Sequence, residues 1–382
     1  MFSYYRLRDY NFKLILYLVT LSVVGVLLVN SARASLTSRQ VMGLFLGLTV
    51  MVIVSLFDFS WVLNFSWLIY GGNILMLSGV RLFGESAGGA TRWVDIGFIR
   101  FQPTELSKIL LILFFAKYLM DHEENLNTFK TLSRGFLLLL LPLILIYIQP
   151  DLKNTITVII VISILVFITG LSYKIIGLAI PILAFFLTVF LLIVIQPNQK
   201  LIPQYQRNRI VSFIYSEEEE YKDSNNQQSN AITAIGSGQL MGKGLNNDSV
   251  SSANKGNFIS EIQTDFIFVV AGEELGFVGA FIIILLLFLI SLECIMMGRR
   301  AKDTSGKLIC CGVASVVSIQ SFINMGVATG ILPNTGTPLP FVSYGLTSMV
   351  SLYIGMGFVL NVGLQRSLSS RGDLDLHDKK HY

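Results

Sequence analysis

Asp265 is the residue whose type and position most clearly suggest catalysis. It follows a polar stretch and stands directly before a long apolar run that begins at Phe266. A carboxylate at the mouth of a membrane helix is a candidate general base, because it can accept a proton from a reacting hydroxyl. The same position suits a helix N-cap, since an aspartate side chain accepts hydrogen bonds from the first N–H groups of a helix. The residues alone leave both interpretations open.

Glu105 and Lys108 form a second candidate site at the start of another apolar run. Three residues apart on a helix, they lie on one face and close enough to pair. Pro103 suits the first turn of that helix, where a missing N–H costs nothing. The pair could be a salt bridge at a helix end. It could also line a polar cavity, because ionisable groups at membrane depth normally face a bundle interior or water.

Basic residues in the polar segments could hold an anion. The candidates are Arg92 beside Trp93, Arg207 and Arg209 in one flank of the longest polar segment, and Lys243 in its other flank. Lys243 belongs to the glycine-rich run 236–244, which fails the dinucleotide fingerprint because Met241 replaces the third glycine. Its backbone N–H groups could still form an anion-binding nest, to which Lys243 would add charge.

Two further segments separate apolar runs. Residues 149–152 are typical of a tight turn, in which Asp151 needs no function. Residues 332–345, called here the re-entrant segment, contain three prolines and two glycines and include Ser343, a candidate substrate-binding residue. We expect this segment to be non-helical, and such backbone is tolerated at a membrane only when buried in protein or lining a cavity. A stiff connector is the alternative.

The composition excludes a soluble enzyme. Of the 382 residues, 53% are hydrophobic and only 14% are charged, whereas soluble domains carry about 25% charged residues. The net charge of +4 gives no case for nucleic acid as a partner. The three cysteines form no CxxC pair and the three histidines are scattered, so neither a disulfide framework nor a metal site is indicated.

Ten apolar runs predict an all-α polytopic membrane protein, with residues 1–382 in a single domain. The runs lie at about 12–30, 38–57, 63–83, 105–120, 135–148, 154–171, 174–195, 266–297, 308–330 and 343–365. Basic residues in the short connecting segments favour a cytoplasmic N-terminus. Both termini are then cytoplasmic, with a tail at about 366–382 and a large outer loop at about 196–265. The acidic tract from Glu217 to Glu220 belongs to a part of that loop expected to be solvated.

Four sequence blocks together resemble one family of bacterial membrane proteins. They are GATRW at 89–93 with QPTELSK at 102–108; QPDL at 149–152; the glycine-rich run with TDFIF at 264–268 and GEELG at 272–276; and Asn324 with PLPFVSYG at 338–345. Their order and the ten-span topology are similar to the SEDS family (shape, elongation, division and sporulation). Lys153, Asn154 and Leu346 depart from the family's usual pattern, and none of these departures touches Asp265.

The resemblance implies a peptidoglycan glycosyltransferase that polymerises lipid II at the outer face of the cytoplasmic membrane. It implies that Asp265 is the essential aspartate and that Trp93, Glu105 and Lys108 surround the substrate cavity. The substrates would be lipid II and a growing glycan linked to undecaprenyl diphosphate. Positive charge stabilises a diphosphate leaving group, and the candidates to supply it are Lys108, Arg207, Arg209 and Lys243. We take Arg92 as a further substrate-binding residue.

The resemblance also implies a class B penicillin-binding protein as partner, within membrane lipids. No cofactor is expected, although a divalent cation such as Mg²⁺ is compatible with the reaction. The N-terminal sequence and the GATRW block look most like the RodA branch, which would serve cell elongation and rod shape; the division (FtsW-like) and sporulation (SpoVE-like) branches are alternatives. A lipid II flippase is the alternative class, in which Glu273 and Glu274 would be the deep carboxylates.

Overall fold

Each of the ten apolar runs contains helix in the computed structural model, which describes residues 10–87, 90–96, 99–196, 199, 201–215, 222–246 and 259–378. The helices are α1 (Phe12–Ala32), α2 (Thr37–Leu56), α3 (Phe59–Leu63), α4 (Ser66–Phe83), α5 (Pro103–Asp121), α6 (Phe129–Ile148), α7 (Leu152–Ile168), α8 (Tyr173–Ile195), α9 (Gln204–Ile214), α10 (Lys222–Ser237), α11 (Ile267–Glu274), α12 (Gly276–Arg299), α13 (Thr304–Ala328) and α14 (Leu346–Asp378). Pro103 stands in the first turn of α5, as predicted.

Seven helices of the described chain are long and apolar enough to cross a membrane, by length and composition. They are α1, α2 with the turn before it, α6, α8, α12, α13 and the part of α14 up to Gln365. Of the other helices in the predicted runs, α7 has only 17 residues and α5 carries four charged side chains. The polytopic helical class is confirmed, and the count of ten spans stays a prediction.

The predicted run 266–297 is wrong as one continuous helix, because it breaks between α11 and α12. Gly276 opens α12 with a φ of +66°, which side-chain-bearing residues rarely adopt. A β-carbon there would collide with the backbone N of Gly242. The glycine-rich run therefore packs backbone against backbone at the break, where the N–H groups of Phe277 and Val278 donate to carbonyls of that run.

A small antiparallel sheet lies between α4 and α5, in a segment that the all-helical prediction treated as loop. Its strands are β1 (Glu85–Ala87), β2 (Ala90–Ile96) and β3 (Ile99–Phe101), in the order β1-β2-β3. Trp93 pairs in register with Glu85, and Asp95 pairs with Arg100. Strands this short show too few alternations to be recognised from sequence. The sheet leads directly into the first turn of α5.

The predicted outer loop 196–265 is partly helical, since α9 and α10 lie within it. The stretch expected to be solvated, 216–230, overlaps α10, which packs against α11 and α13. The acidic tract from Glu217 to Glu220 lies outside the described residues. At the other end of the chain, α14 continues to Asp378, so the predicted tail is helical as far as it is described.

The best-buried membrane helices are α13 and α14. Helix α14 packs along α2, and α13 packs against α5, α7 and α12. Close approach of α2 and α14 depends on Gly47, which lies against the ring of Tyr353. Helix α8, by contrast, leaves nearly all of its apolar surface exposed. Helices α5, α7 and α13, which pack against one another, carry the residues of the candidate site.

Candidate active site

Asp265 lies in the turn before α11, and its side chain does not cap that helix. The N-cap residue is Phe266, and no side chain makes the capping hydrogen bond, so the N-cap interpretation is wrong. The half-buried Asp265 instead faces the re-entrant segment. A β-carbon built on Gly336 would stand 2.9 Å from Asp265 Oδ2. A carboxylate with part of its surface open can meet a substrate hydroxyl, as a general base must.

Two polar side chains fix the re-entrant segment to the turn that carries Asp265. Asn324 Nδ2, on α13, donates to the carbonyl of Asp265 at 2.8 Å and to that of Thr337 at 2.7 Å. Ser343 Oγ donates to the carbonyl of Thr264 at 2.6 Å. The segment is non-helical and largely buried, as its prolines and glycines predict. Ser343 therefore holds backbone in place, and its role toward a substrate stays a prediction.

Two cations reach Gly336 from different helices. Arg209 Nη1, on α9, would stand 3.6 Å from a β-carbon at Gly336. Lys153 Nζ, in the first turn of α7, donates a hydrogen bond to the carbonyl of Gly336. The structure thus brings the predicted Arg209 to Asp265 and adds Lys153, which the sequence analysis did not single out for the site.

Glu105 and Lys108 form a buried ion pair, as their spacing predicts. Lys108 Nζ lies 2.9 Å from Glu105 Oε2, and each side chain is about 3% exposed or less. Lys108 Nζ also donates to Asn154 Oδ1 at 3.2 Å, and Asn154 Nδ2 donates to Glu105 Oε1 at 3.4 Å. The pair therefore joins α5 to α7 and is more than a contact at the end of one helix.

Asp151 is the second carboxylate of this buried network and is fully buried. It caps α7 through the N–H of Asn154 at 3.4 Å. Its Oδ2 accepts hydrogen bonds of 2.8 to 3.1 Å from Asn154, Gln102 and Thr104. The interpretation of Asp151 as a plain turn residue is incomplete, because the same side chain holds the start of α5 against α7.

Arg92 and Trp93 lie on β2, close to the same turn. Arg92 Nε donates to the carbonyl of Gln149 at 3.3 Å, and its Nη2 donates to that of Pro150. Gln206 of α9 also donates to Pro150 O, at 2.8 Å. Arg92 therefore anchors the sheet to the turn before α7, and Trp93, half-buried beside it, lies on the neighbouring position of β2.

Arg207 and Lys243 make structural bonds elsewhere. Arg207 is buried and donates to the carbonyls of Ile195 and Gln196 at 2.9 and 3.1 Å, at the end of α8. Lys243 Nζ pairs with Glu273 Oε1 at 2.7 Å. Neither bond involves the turn of Asp265.

The anion nest predicted for the glycine-rich run is not formed. The N–H of Gly242 donates to the carbonyl of Gly238 within the run. The N–H groups of Lys243 and Gly244 donate to the carbonyls of Glu273 and Glu274, which end α11. These N–H groups already bond to backbone carbonyls. The glycine-rich run therefore holds its loop against the break between α11 and α12.

Four members of this site were not predicted from the sequence: Lys153, Asn154, Gly336 and Asn324. Each stands in or next to one of the four blocks, so the signal available was proximity to a recognised block. Their contacts join residues that are far apart in the chain, and such contacts leave no periodicity to detect. Among the described residues, no group of three or more His, Cys, Asp or Glu could hold a metal ion.

The chain is similar to known proteins over nearly its whole length. The FtsW/RodA/SpoVE family model, described as a cell cycle protein, matches residues 10–368. The peptidoglycan glycosyltransferase MrdB of Escherichia coli K12 is 31% identical over 361 residues, which cover 94% of each chain.

Solved structures share the fold as well. One comes from work on the structural coordination of polymerization and crosslinking by a peptidoglycan synthase complex; it is 26% identical, with a TM-score of 0.78, over 94% of this chain and 98% of the other. The crystal structure of the rod shape determining protein RodA of Thermus thermophilus is 25% identical, with a TM-score of 0.68, over 94% and 97%.

Proposed function

The chain belongs to the FtsW/RodA/SpoVE family of cell cycle proteins, and from that membership we propose that it is a peptidoglycan glycosyltransferase. Its substrates are lipid II and a growing glycan linked to undecaprenyl diphosphate. The name of its relative MrdB states the same activity, and that similarity extends over both the Asp265 turn and the buried Glu105 network. The protein is a multi-pass membrane protein, consistent with substrates that arrive as lipids.

In the proposed reaction Asp265 acts as general base. The 4-hydroxyl oxygen of the acceptor sugar attacks the anomeric carbon of the donor, and its proton passes to the Asp265 carboxylate. The bond between the anomeric carbon and the diphosphate oxygen breaks, and undecaprenyl diphosphate leaves with the bonding electrons. A single displacement inverts an α-linked donor into a β-1,4-linked product. No soluble nucleotide-sugar domain is needed, because the donor is a lipid.

One observation carries this proposal: the Asp265 carboxylate is half-buried against the re-entrant segment, where Arg209 also approaches Gly336. Preorganised charge around a reacting group is the largest contribution to many enzymatic rates. Asn324 and Ser343 hold the two chain segments together, so the base has a fixed position. Glu105 and Lys108 contribute indirectly, because they hold α5 against α7.

We further propose the outer face of the membrane as the place of reaction, with both termini in the cytoplasm. The distribution of basic residues in short segments supports this orientation. The branch proposed is the elongation branch, supported by the similarity to MrdB and to the RodA structure. The partner proposed is a class B penicillin-binding protein, supported by the structural match to a peptidoglycan synthase complex.

The flippase alternative depends on Glu273 and Glu274 as free carboxylates within the membrane. Glu273 pairs with Lys243 at 2.7 Å, and Glu274 Oε1 accepts a hydrogen bond from Ser31 at 2.5 Å. Both therefore serve to hold the glycine-rich run and α1 at the helix break. This arrangement favours a structural role for the two glutamates over a transport role.

Polymerisation of purified lipid II in detergent tests the proposal, because transport has no meaning without a bilayer. The protein, alone and with a class B penicillin-binding protein, is incubated with fluorescent lipid II and the products are separated by length. We expect glycan strands, with more product when the partner is present. Absence of strands in both reactions, from protein that remains folded, would contradict the proposal. A parallel reaction in chelator tests whether a divalent cation such as Mg²⁺ assists.

A further inference from the structure

We infer that Lys153 and Arg209 form a two-cation subsite for the diphosphate of a polyprenyl-diphosphate-linked saccharide. We call it the Gly336 subsite, made of Lys153, Arg209 and Gly336. This inference rests on the proposed function and specifies where the leaving group is held. It assigns a ligand-binding role to Lys153, which was not predicted from the sequence as a member of the site.

Three charged side chains converge on one backbone residue, Gly336. Lys153 Nζ donates to the carbonyl oxygen of Gly336. Arg209 Nη1 and Asp265 Oδ2 lie on the α-carbon side of the same residue, 3.6 and 2.9 Å from a β-carbon built there. Two cations from two different helices thus approach Gly336, the residue that the proposed base faces.

The second observation is that the other candidate cations bond protein groups outside the turn of Asp265. Lys108 is buried and bonded to Glu105 and Asn154. Arg207 bonds the carbonyls that end α8, and Lys243 pairs with Glu273. Of the four cations that the sequence offered for the diphosphate, only Arg209 lies at Asp265, and Lys153 supplies the second charge.

The third step concerns how Lys153 is held. The buried network contains two carboxylates, Glu105 and Asp151, and one ammonium, Lys108. Lys153 is close enough to Glu105 to interact with it electrostatically, so the surplus negative charge keeps the Lys153 ammonium near the network. An ammonium has three N–H donors, and the described residues accept one of them, at Gly336. The other donors can meet phosphate oxygens.

The last step is chemical. A diphosphate that departs from a sugar gains negative charge at the oxygen that is released, and fixed cations lower the energy of that state. Lys153 is half-buried, which strengthens its attraction because less water screens its charge, whereas Arg209 is exposed. With one cation for each phosphate, the subsite binds a diphosphate better than a monophosphate.

Binding of two probes, undecaprenyl diphosphate and undecaprenyl phosphate, tests the subsite in detergent by native mass spectrometry. We expect Lys153→Gln to weaken binding of the diphosphate about tenfold, the usual size of one charge-assisted hydrogen bond, with a smaller effect on the monophosphate. Lys153→Arg restores binding. The matched control is Lys174→Gln, which removes an exposed lysine at the start of α8. Thermal unfolding of each variant checks that the fold is intact.

Unchanged binding of the diphosphate by Lys153→Gln would overturn the subsite, and so would an equal loss for both probes. In the polymerisation assay the same variant should raise the KM for the donor, and Lys153→Arg should lower it again. If the wild type binds the diphosphate through Lys153 but makes no glycan, the proposed function fails and the subsite stands. If the wild type makes glycan and Lys153→Gln matches it in binding and in KM, only the subsite fails.

Discussion

The carboxylate of Asp265 and the backbone of Gly336 lie in direct contact. A β-carbon on Gly336 would stand 2.9 Å from Asp265 Oδ2, and the residue has a φ of +70°. Both the space and the backbone conformation therefore require glycine at this position. The contact matters because it joins the proposed base to the re-entrant segment that also receives Lys153 and Arg209.

Gly336→Ala should reduce polymerisation by tenfold or more while leaving a folded protein. The added methyl group must displace the Asp265 carboxylate, and small displacements of a catalytic group can cost about a hundredfold in rate. The left-handed backbone adds about 1–2 kcal/mol of strain. Gly345→Ala in the same segment is the control, because among the described residues its β-carbon meets only Ser348, at 3.7 Å. Equal activity of the two variants would show that the contact is unimportant.

Asn324→Leu should lower kcat more than it raises KM. Asn324 Nδ2 bonds the carbonyls of Asp265 and Thr337, so the change frees the base from the re-entrant segment. Loss of these bonds should destabilise the protein by about 1–3 kcal/mol. The control is Gln320→Leu on the same helix, whose buried amide atoms have no hydrogen-bond partner among the described residues. We expect Gln320→Leu to leave the stability unchanged or to raise it. A change in KM without a change in kcat for Asn324→Leu would argue against a positioning role for Asn324.

Lys108→Met should destabilise the protein by about 3–5 kcal/mol, because it leaves Glu105 buried without its cation. The double variant Glu105→Gln, Lys108→Met should recover part of that loss. Thermal unfolding in detergent measures both. Lys117→Met is the control on the same helix; its pair with Asp121 is exposed, and such pairs contribute less than about 1 kcal/mol. If the effects of Glu105→Gln and Lys108→Met on the free energy of unfolding simply add in the double variant, the proposed coupling of the two side chains is contradicted.

Gly276→Ala should abolish the accumulation of folded protein. The residue has a φ of +66°, and a β-carbon would collide with the backbone of Gly242. The backbone contact between the glycine-rich run and the break between α11 and α12 would have to be lost. Gly72→Ala on α4 is the control, since no atom of the described part of the chain lies within 4 Å of its β-carbon. The yield of monodisperse protein on size-exclusion chromatography distinguishes the two variants. A normal yield of Gly276→Ala would show that folding does not require the contact between Gly276 and Gly242.

Features that arise from local sequence could be predicted, whereas features that arise from packing could not. Long apolar runs predicted the helices, and three-residue spacing predicted the Glu105–Lys108 pair. The break at Gly276 was missed because its cause, the loop around Gly242, lies more than thirty residues earlier in the chain. The role of Asp151 was missed for the same reason, since its partners Gln102 and Thr104 come from another helix start.

Candidate cations show the same limit. Arg207 and Arg209 are two residues apart and looked equivalent in the sequence. On a helix this spacing turns them to different sides, so Arg207 bonds the end of α8 and Arg209 approaches Gly336. Lys153 lies beside Asp151 in sequence, but only the fold shows that it reaches the re-entrant segment.

Replacement of the Asp265 carboxylate by an amide tests the central claim most directly. Asp265→Asn keeps the shape of the side chain and removes the proton acceptor, while Glu261→Gln makes the same change at an exposed carboxylate four residues earlier. The measurement is the rate of lipid II polymerisation by each purified variant, with thermal unfolding as a check on the fold. We expect Asp265→Asn to lose at least about a hundredfold in rate, as removal of a general base does, and Glu261→Gln to match the wild type. A folded Asp265→Asn variant that polymerises lipid II at the wild-type rate would contradict the account.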